Sequence, residues 1–380
     1  MNIGIITWHG GPNAGTFFQL YGLYHYLESR GHHVEVIDYN NRPEDFIPRG
    51  FAYYATQPLA LIRRKMERRR ERKEIVEAEA RYADAIKLRA ARFKELYDKL
   101  KFTERVSTDE DFARLNDRFD VFIVGSDQTW NASMLNRRYF LDFAAKGKIK
   151  ASYCPSMGTG LVMRRQREVF RQYLQDFDFI SAREGRLRDI LQEELHREVY
   201  HLLDPSMLVS RDEYVKMAHL PEELKGERYL LCYFTPKNDA QVEQMRRFAK
   251  EKGLKVVIMA MSSFSLNIKD AYIYAAAGPR EFVGLIANAA VVFTSSFHCT
   301  IFSIMLHRDL YVFEQRFTSK AADINQRYIE QLETYGMPHR FIRFGKEITA
   351  ENSAAIDYDS VEAIFQRRLA ESKAFLNKFC

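Results

Sequence analysis

The first forty residues read as a strand at Ile3 to Thr7, a glycine-containing loop at His9 to Gly15, a helix at Phe17 to Ser29 and a strand at His33 to Tyr39. Two strands joined through a helix pair side by side as parallel neighbours with a right-handed crossover, so this opening commits the chain to an α/β fold. From about Pro58 to Leu100 the sequence is rich in Arg, Lys, Glu and Ala with no Gly or Pro after Pro58, which predicts long helices inserted between strands. Apolar strand candidates resume at Val121 to Val124, Ile149 to Tyr153, Phe179 to Ser181 and Tyr200 to Leu203. After a polar, linker-like segment, Pro221 to Gly226, a second alternation begins. It has strands at Tyr229 to Phe234, Lys255 to Met259, Ala290 to Thr294 and Asp309 to Phe313, with helices at Asp239 to Lys252, Gly278 to Ala287 and Phe297 to Leu306. The expected division is therefore two α/β domains. The first is 1–220, carrying a helical insertion at about 58–115, and the second is 227–380, whose last helix runs back across the first.

Hydrophobic residues make up 46% and charged residues 28% of the chain, ordinary globular values that exclude a disordered or collagen-like protein. Apolar stretches such as Ala287 to Thr294 fall well short of the roughly 20 residues needed to span a bilayer. The N-terminal segment lacks the basic region and cleavage site of a signal peptide, so a cytoplasmic location is expected. Between Arg63 and Lys73 eight basic residues stand against Glu67 and Glu71, an excess equal to the whole formal charge of +6. The remainder is neutral, which argues against nucleic acid as a partner. The run itself reads either as a solvated helix whose glutamates pair with neighbouring arginines, the commoner case, or as a patch drawn peripherally to the anionic inner face of a membrane. Cys154, Cys232, Cys299 and Cys380 occur singly, without the spacing of a zinc or redox site. They read as packing residues, and no metal is expected.

In open α/β sheets ligands bind beyond the carboxyl ends of strands, where loops lead into helix N-termini. Val121-Phe-Ile-Val124 runs straight into Gly125-Ser126-Asp127-Gln128. There Gly125 permits close backbone approach, Ser126 and Asp127 can cap the next turn, and Asp127 can serve as a general base. Ser181-Ala-Arg183-Glu184 ends a strand on a guanidinium suited to bidentate capture of a carboxylate or phosphate, or to a salt bridge with Glu184. In Leu203-Asp204-Pro205-Ser206, Asp204 reads as a turn-former rather than a catalyst. Thr294-Ser295-Ser296 offers hydroxyls and free N–H groups at a helix start, an anion cradle, with the titratable His298 in the first turn. Arginine, hydroxyls, Asp127 and His298 together suit transfer chemistry on an anionic donor.

These segments resemble the polysaccharide pyruvyl transferase family. The motifs are Gly125-Ser-Asp-Gln-Thr-Trp-Asn131, Ser181-Ala-Arg-Glu184, Leu203-Asp-Pro-Ser-Met-Leu208, and Gly278-Pro-Arg-Glu-Phe-Val-Gly-Leu-Ile-Ala-Asn-Ala289 leading into Thr294-Ser-Ser-Phe-His-Cys-Thr-Ile-Phe302. Asn13-Ala-Gly-Thr-Phe-Phe-Gln-Leu-Tyr-Gly-Leu23 and Asp323-Ile-Asn-Gln-Arg327 are similar to its other signatures, in the same order up to about Arg343. The resemblance implies two Rossmann-like domains in a glycosyltransferase-B-like arrangement with the active site in the interdomain cleft. It implies phosphoenolpyruvate as donor, no further cofactor, and a sugar of a cell-surface polysaccharide or its lipid-linked precursor as acceptor, and it leaves a homo-oligomer open. His298 and Asp127 are the catalytic candidates, and Arg183, Ser126, Gly125, Ser295, Ser296 and Arg327 the substrate-binding ones. Cys299 stands where the family often has Gly, a departure expected to narrow the pocket. The competing readings are a nucleotide-sugar glycosyltransferase, which shares the architecture, and a non-catalytic glycan-binding relative.

Overall fold

The computed structural model describes residues 1–48, 75–158, 162–234, 239–315 and 324–380, so the basic run Arg63–Lys73 lies outside the described residues. The first sheet holds β1 (Asn2–Ile6), β2 (His33–Val36), β3 (Val121–Val124) and β4 (Ile149–Ser152) in the order β2-β1-β3-β4, all parallel. A bridge from Ala151 to Phe179 leads on to the short parallel pair β5 (Ser181–Ala182) and β6 (Tyr200–His201). The second sheet holds β7 (Tyr229–Tyr233), β8 (Lys255–Met259), β9 (Tyr272–Tyr274), β10 (Val291–Thr294), β11 (Asp309–Phe313) and β12 (Phe341–Ile342), ordered β12-β11-β10-β7-β8-β9. All its pairings are parallel. The central strands read as unbroken apolar runs because helices cover both faces; β3, β7 and β10 are buried at every position.

In each sheet the strand order reverses once, between β1 and β3 and between β7 and β10. The crevice beyond the carboxyl ends at such a reversal is where these sheets take ligands. Here the two crevices face each other. The Ala14–Ser29 helix starts at the first of them, its N-terminus capped by the Asn13 side chain, which accepts from the Thr16 N–H at 3.2 Å. That helix also joins the domains. Phe18 packs on Phe302 and Phe282 of the second domain, with ring centroids 4.7 and 5.7 Å away. At Gly22 an added Cβ would meet the Pro205 carbonyl oxygen at 2.1 Å, so only glycine allows this approach.

Two helices cross between the domains in opposite directions. The Ala83–Tyr97 helix lays Phe93 into the core of the second domain, and its Arg92 Nε lies 3.3 Å from Glu281. The Tyr358–Leu376 helix returns to the first domain, where Phe375 and Leu376 pack with Ile3, Leu23 and Val121. Its Ser372 hydroxyl accepts from the Leu203 N–H at 3.1 Å. Among the described residues no helix is long and apolar enough to cross a membrane.

Candidate active site

A cavity of about 280 Å³ lies between the two facing crevices. From the first domain it takes the start of the Ala14–Ser29 helix, Asp127 beyond β3 and Arg183 beyond β5. The second domain contributes the Ser295–His298 segment beyond β10, and Arg327. Asp127, Arg183, Ser295, Ser296, His298 and Arg327, spread through the sequence, therefore share one wall-lined space.

Arg183 is 6% exposed. Its Nη1 lies 3.2 Å from Asp204 Oδ2 and its Nε 3.6 Å from Glu184 Oε1. The guanidinium also lies over the Phe297 ring, 4.5 Å from its centroid, and Arg327 approaches the same ring at 5.9 Å. Arg183 is thus both ion-paired and on the cavity wall. Arg327 donates to the Tyr328 hydroxyl at 2.9 Å, and no carboxylate among the described residues pairs with it. Tyr328 in turn donates to the Ser295 carbonyl at 3.1 Å, which ties the Gln326–Thr334 helix to the cradle. Ser296 caps the Phe297–Met305 helix by accepting from the Cys299 N–H.

The sequence gives Asp204 a turn-forming role, and it does accept from the Ser206 N–H at 3.0 Å. It also has a second role that sequence reasoning missed. Its carboxylate, with a side chain 1% exposed, lies 3.5 Å from His298 Nε2 and accepts from the Ser206 and Ser126 hydroxyls at 2.7 and 3.3 Å. Burial alone would raise its pKa. The neighbouring His298 and Arg183 charges and the Ser206 hydrogen bond outweigh burial and hold the carboxyl well below the usual carboxylate range. Asp204 is thus the shared counter-ion of both candidate donor-binding residues, one from each domain.

Asp127 has φ 65°, in the left-handed region. A non-glycine residue there carries strain of order 1–3 kcal/mol, a pattern that clusters at functional sites. Its Oδ1 accepts from the Gln128 N–H and its Oδ2 from the Thr16 hydroxyl, both at 2.9 Å, so the carboxylate is held toward the cavity with both oxygens engaged. Capping and cavity lining coexist here.

Two expectations are corrected. Gly125 and Ser126 do not line the cavity: a Cβ on Gly125 would press on Thr7 at 2.9 Å, and the buried Ser126 points at Asp204. The glycine serves strand packing, and the serine supports a counter-ion. Cys299 does not narrow the cavity, since it is fully buried in the core, where burial pushes its thiol up to about 12.

Gly15 is a further residue that sequence reasoning missed. An added Cβ would lie 2.2 Å from His298 Nδ1, so the histidine of one domain rests on a bare backbone of the other. Gly15→Ala is expected to destabilise the fold by about 1–3 kcal/mol, the range for overpacking, and to push the imidazole away from Asp204. Urea unfolding measures the first effect and the His298 ring resonance in NMR the second; an unmoved resonance would show that the ring has room to spare. Among the described residues no group of three His, Cys, Asp or Glu side chains is placed to hold a metal ion.

The family model described as polysaccharide pyruvyl transferase matches residues 13–314. No curated protein matches the chain in sequence. Among solved structures, UDP-N-acetylglucosamine 2-epimerase from Rickettsia bellii is similar with 11% identity over 99% of this chain and 95% of that one, at a TM-score of 0.52. The S. aureus MnaA–UDP co-structure is similar with 12% identity over 98% of this chain and 91% of that one, at a TM-score of 0.50. At such identities the likeness speaks for the fold alone: two Rossmann-like domains in a glycosyltransferase-B-like arrangement.

Proposed function

The chain belongs to the polysaccharide pyruvyl transferase family, and from that premise we propose that it moves the enolpyruvyl group of phosphoenolpyruvate onto a sugar of a cell-surface polysaccharide or its lipid-linked precursor. The product is a pyruvate ketal, and phosphate is released. One observation carries this reading. Arg183, Arg327 and His298 converge on a single small cavity, where Arg183 and His298 share the Asp204 carboxylate and the buried Nε of Arg327 has no partner among the described residues. A buried donor left unpaired is costly, and an anionic group of a small ligand bearing a carboxylate and a phosphate satisfies it.

The chemistry assigns roles. Protonation of the enolpyruvyl methylene leaves an oxocarbenium-like carbon, which a sugar hydroxyl attacks as it gives up its proton. Phosphate then departs with its bridging oxygen, and a second hydroxyl closes the ring and releases its own proton. Arg183 and Arg327 hold the anionic groups, and the N-terminus of the Phe297–Met305 helix adds its dipole; the expected free N–H groups of Ser295 and Ser296 are instead spent on the Tyr233 carbonyl and the Thr294 hydroxyl. His298 is the proton donor to the methylene. Asp127, on the opposite wall, receives a hydroxyl proton. Asp204 touches no substrate and fixes His298 and Arg183 in place.

Incubation with phosphoenolpyruvate and a glycan acceptor, followed by phosphate release, tests the proposal. Release that needs both substrates supports it, and activity only with a nucleotide sugar would replace it with a glycosyltransferase. Arg183→Lys is expected to weaken donor binding by about 1.5–3 kcal/mol although the charge survives, because a point charge does not reproduce a bidentate fork. Calorimetry measures the loss, and an unchanged affinity would reduce Arg183 to an ion-pair partner of Asp204.

A further inference from the structure

Arg183 belongs to the first domain and Arg327 to the second, so the gap between their guanidinium groups is set by the way the domains meet. Arg183 is fixed within its own domain by Asp204 and Glu184. Arg327 rides on the Gln326–Thr334 helix, which Tyr328 ties to the second domain through the Ser295 carbonyl. One turn along that helix from Arg327 stands Glu330. Its Oε1 crosses to the first domain and accepts from the N–H of Gly185, two residues beyond Arg183, at 2.6 Å. Glu184 gives the Gly185–Leu195 helix no side-chain cap, so a carboxylate from the other domain takes up its first N–H. A helix start favours negative charge there.

The approach is tight. A Cβ on Gly185 would lie 2.5 Å from Glu330 Oε1, so only glycine admits the carboxylate. His201 of β6 links the same carboxylate to Arg183 itself, its Nε2 lying 3.1 Å from the Arg183 carbonyl oxygen and 3.4 Å from Glu330 Oε1. A carbonyl takes only a donor, so Nε2 carries the proton. Burial lowers the His201 pKa to about 4, which keeps the ring neutral near neutrality. A void of about 20 Å³ lies among these groups. Arg183, Phe297 and Arg327 line both this void and the main cavity, and so form the partition between them. Glu330 lines the void alone, behind the partition and out of the donor's reach.

We propose that Glu330 is a positioning residue: by holding Gly185 it sets the spacing of Arg183 and Arg327, and with it the fit of a donor that carries an anionic group at each end. The inference rests on the reading of these two arginines as the donor-binding pair. Without Glu330, Arg183 keeps its place, whereas Arg327 loses the tie that orients its helix against the first domain. Two cations grip a two-ended anion only at the right separation, and in an oriented site a shift of about 1 Å can cost a factor of about 100.

The test is a double-mutant cycle, read by calorimetry with phosphoenolpyruvate and with pyrophosphate, a two-ended anion indifferent to the chemistry. Glu330→Ala should weaken binding about tenfold or more, and Glu330→Gln, whose amide oxygen still accepts from Gly185, should stay within about threefold of the parent. Arg327→Met should also weaken binding, and adding Glu330→Ala to it should cost less than about twofold more, because effects exerted through one group do not add. Gly185→Ala crowds the carboxylate from the other side and should reproduce the Glu330→Ala loss, which decides the matter if Glu330→Ala does not fold. A cycle of this form with either probe supports the proposal. Unchanged affinity in Glu330→Ala or in Gly185→Ala, a glutamine variant as weak as the alanine one, an equal loss on the Arg327→Met background, or no binding of either probe by the parent would overturn it. Failure of the donor reading would appear separately, as pyrophosphate binding that follows the cycle while phosphoenolpyruvate does not bind.

Discussion

His298→Asn is expected to lower turnover by roughly 10²–10⁴-fold, the usual contribution of general acid catalysis, while keeping part of the donor affinity. Asparagine retains a hydrogen-bonding group beside Asp204 but carries no transferable proton. The separation of the two effects is the informative quantity. Donor affinity comes from calorimetry, turnover from phosphate release, and circular dichroism establishes that the variant is folded. Turnover within a few-fold of the parent would move the proton-donor role to Asp127, whose carboxylate faces the same cavity with both oxygens already engaged. An equal fall in affinity and turnover would make His298 a binding residue only.

Asp204→Ala is expected to destabilise the fold by about 3 kcal/mol, the lower end of the range for removing one partner of a buried ion pair. The lower end applies because Arg183 keeps Glu184 at 3.6 Å. Urea unfolding measures the change. The pH dependence has a definite sign. The folded-state pKa of Asp204 is depressed, so its contribution is complete above the unfolded value of about 4 and fades as pH falls from there through the folded value. The stability difference between parent and variant should therefore be constant near neutrality and shrink below about pH 4. A difference that persists undiminished into acid would mean that Asp204 acts through packing rather than charge.

Much of this site is legible in the sequence because strand ends are legible. Apolar runs that stop abruptly at Gly125, Arg183 and Ser295 mark the carboxyl edges of parallel strands, and a parallel sheet places its ligands there. What a strand end does not tell is which side chain faces the crevice. Gly125 and Ser126 sit in the right loop and turn into the protein, while Asp127 beside them turns out. Asp204 escaped for another reason: its local pattern is fully explained by the Ser206 turn, and its contact with His298 exists only once the two domains meet. The edge strands β9 and β12 span only Tyr272–Tyr274 and Phe341–Ile342, too short for any alternation to register.

The returning Tyr358–Leu376 helix has a consequence for biosynthesis. Phe375, Leu376 and Phe379 complete a cluster built from Ile3, Leu23, Val34, Val121 and Tyr153, residues that leave the ribosome far earlier. Most domains fold as units, the N-terminal one first, while the chain elongates at about 5–20 residues per second. Here the N-terminal sheet waits for the far end of the polypeptide, and one apolar flank stays uncovered for roughly ten seconds or more while the second domain is translated. Ribosome-bound chains truncated before Tyr358 should be digested by protease across the N-terminal sheet, at positions that the full-length protein shields.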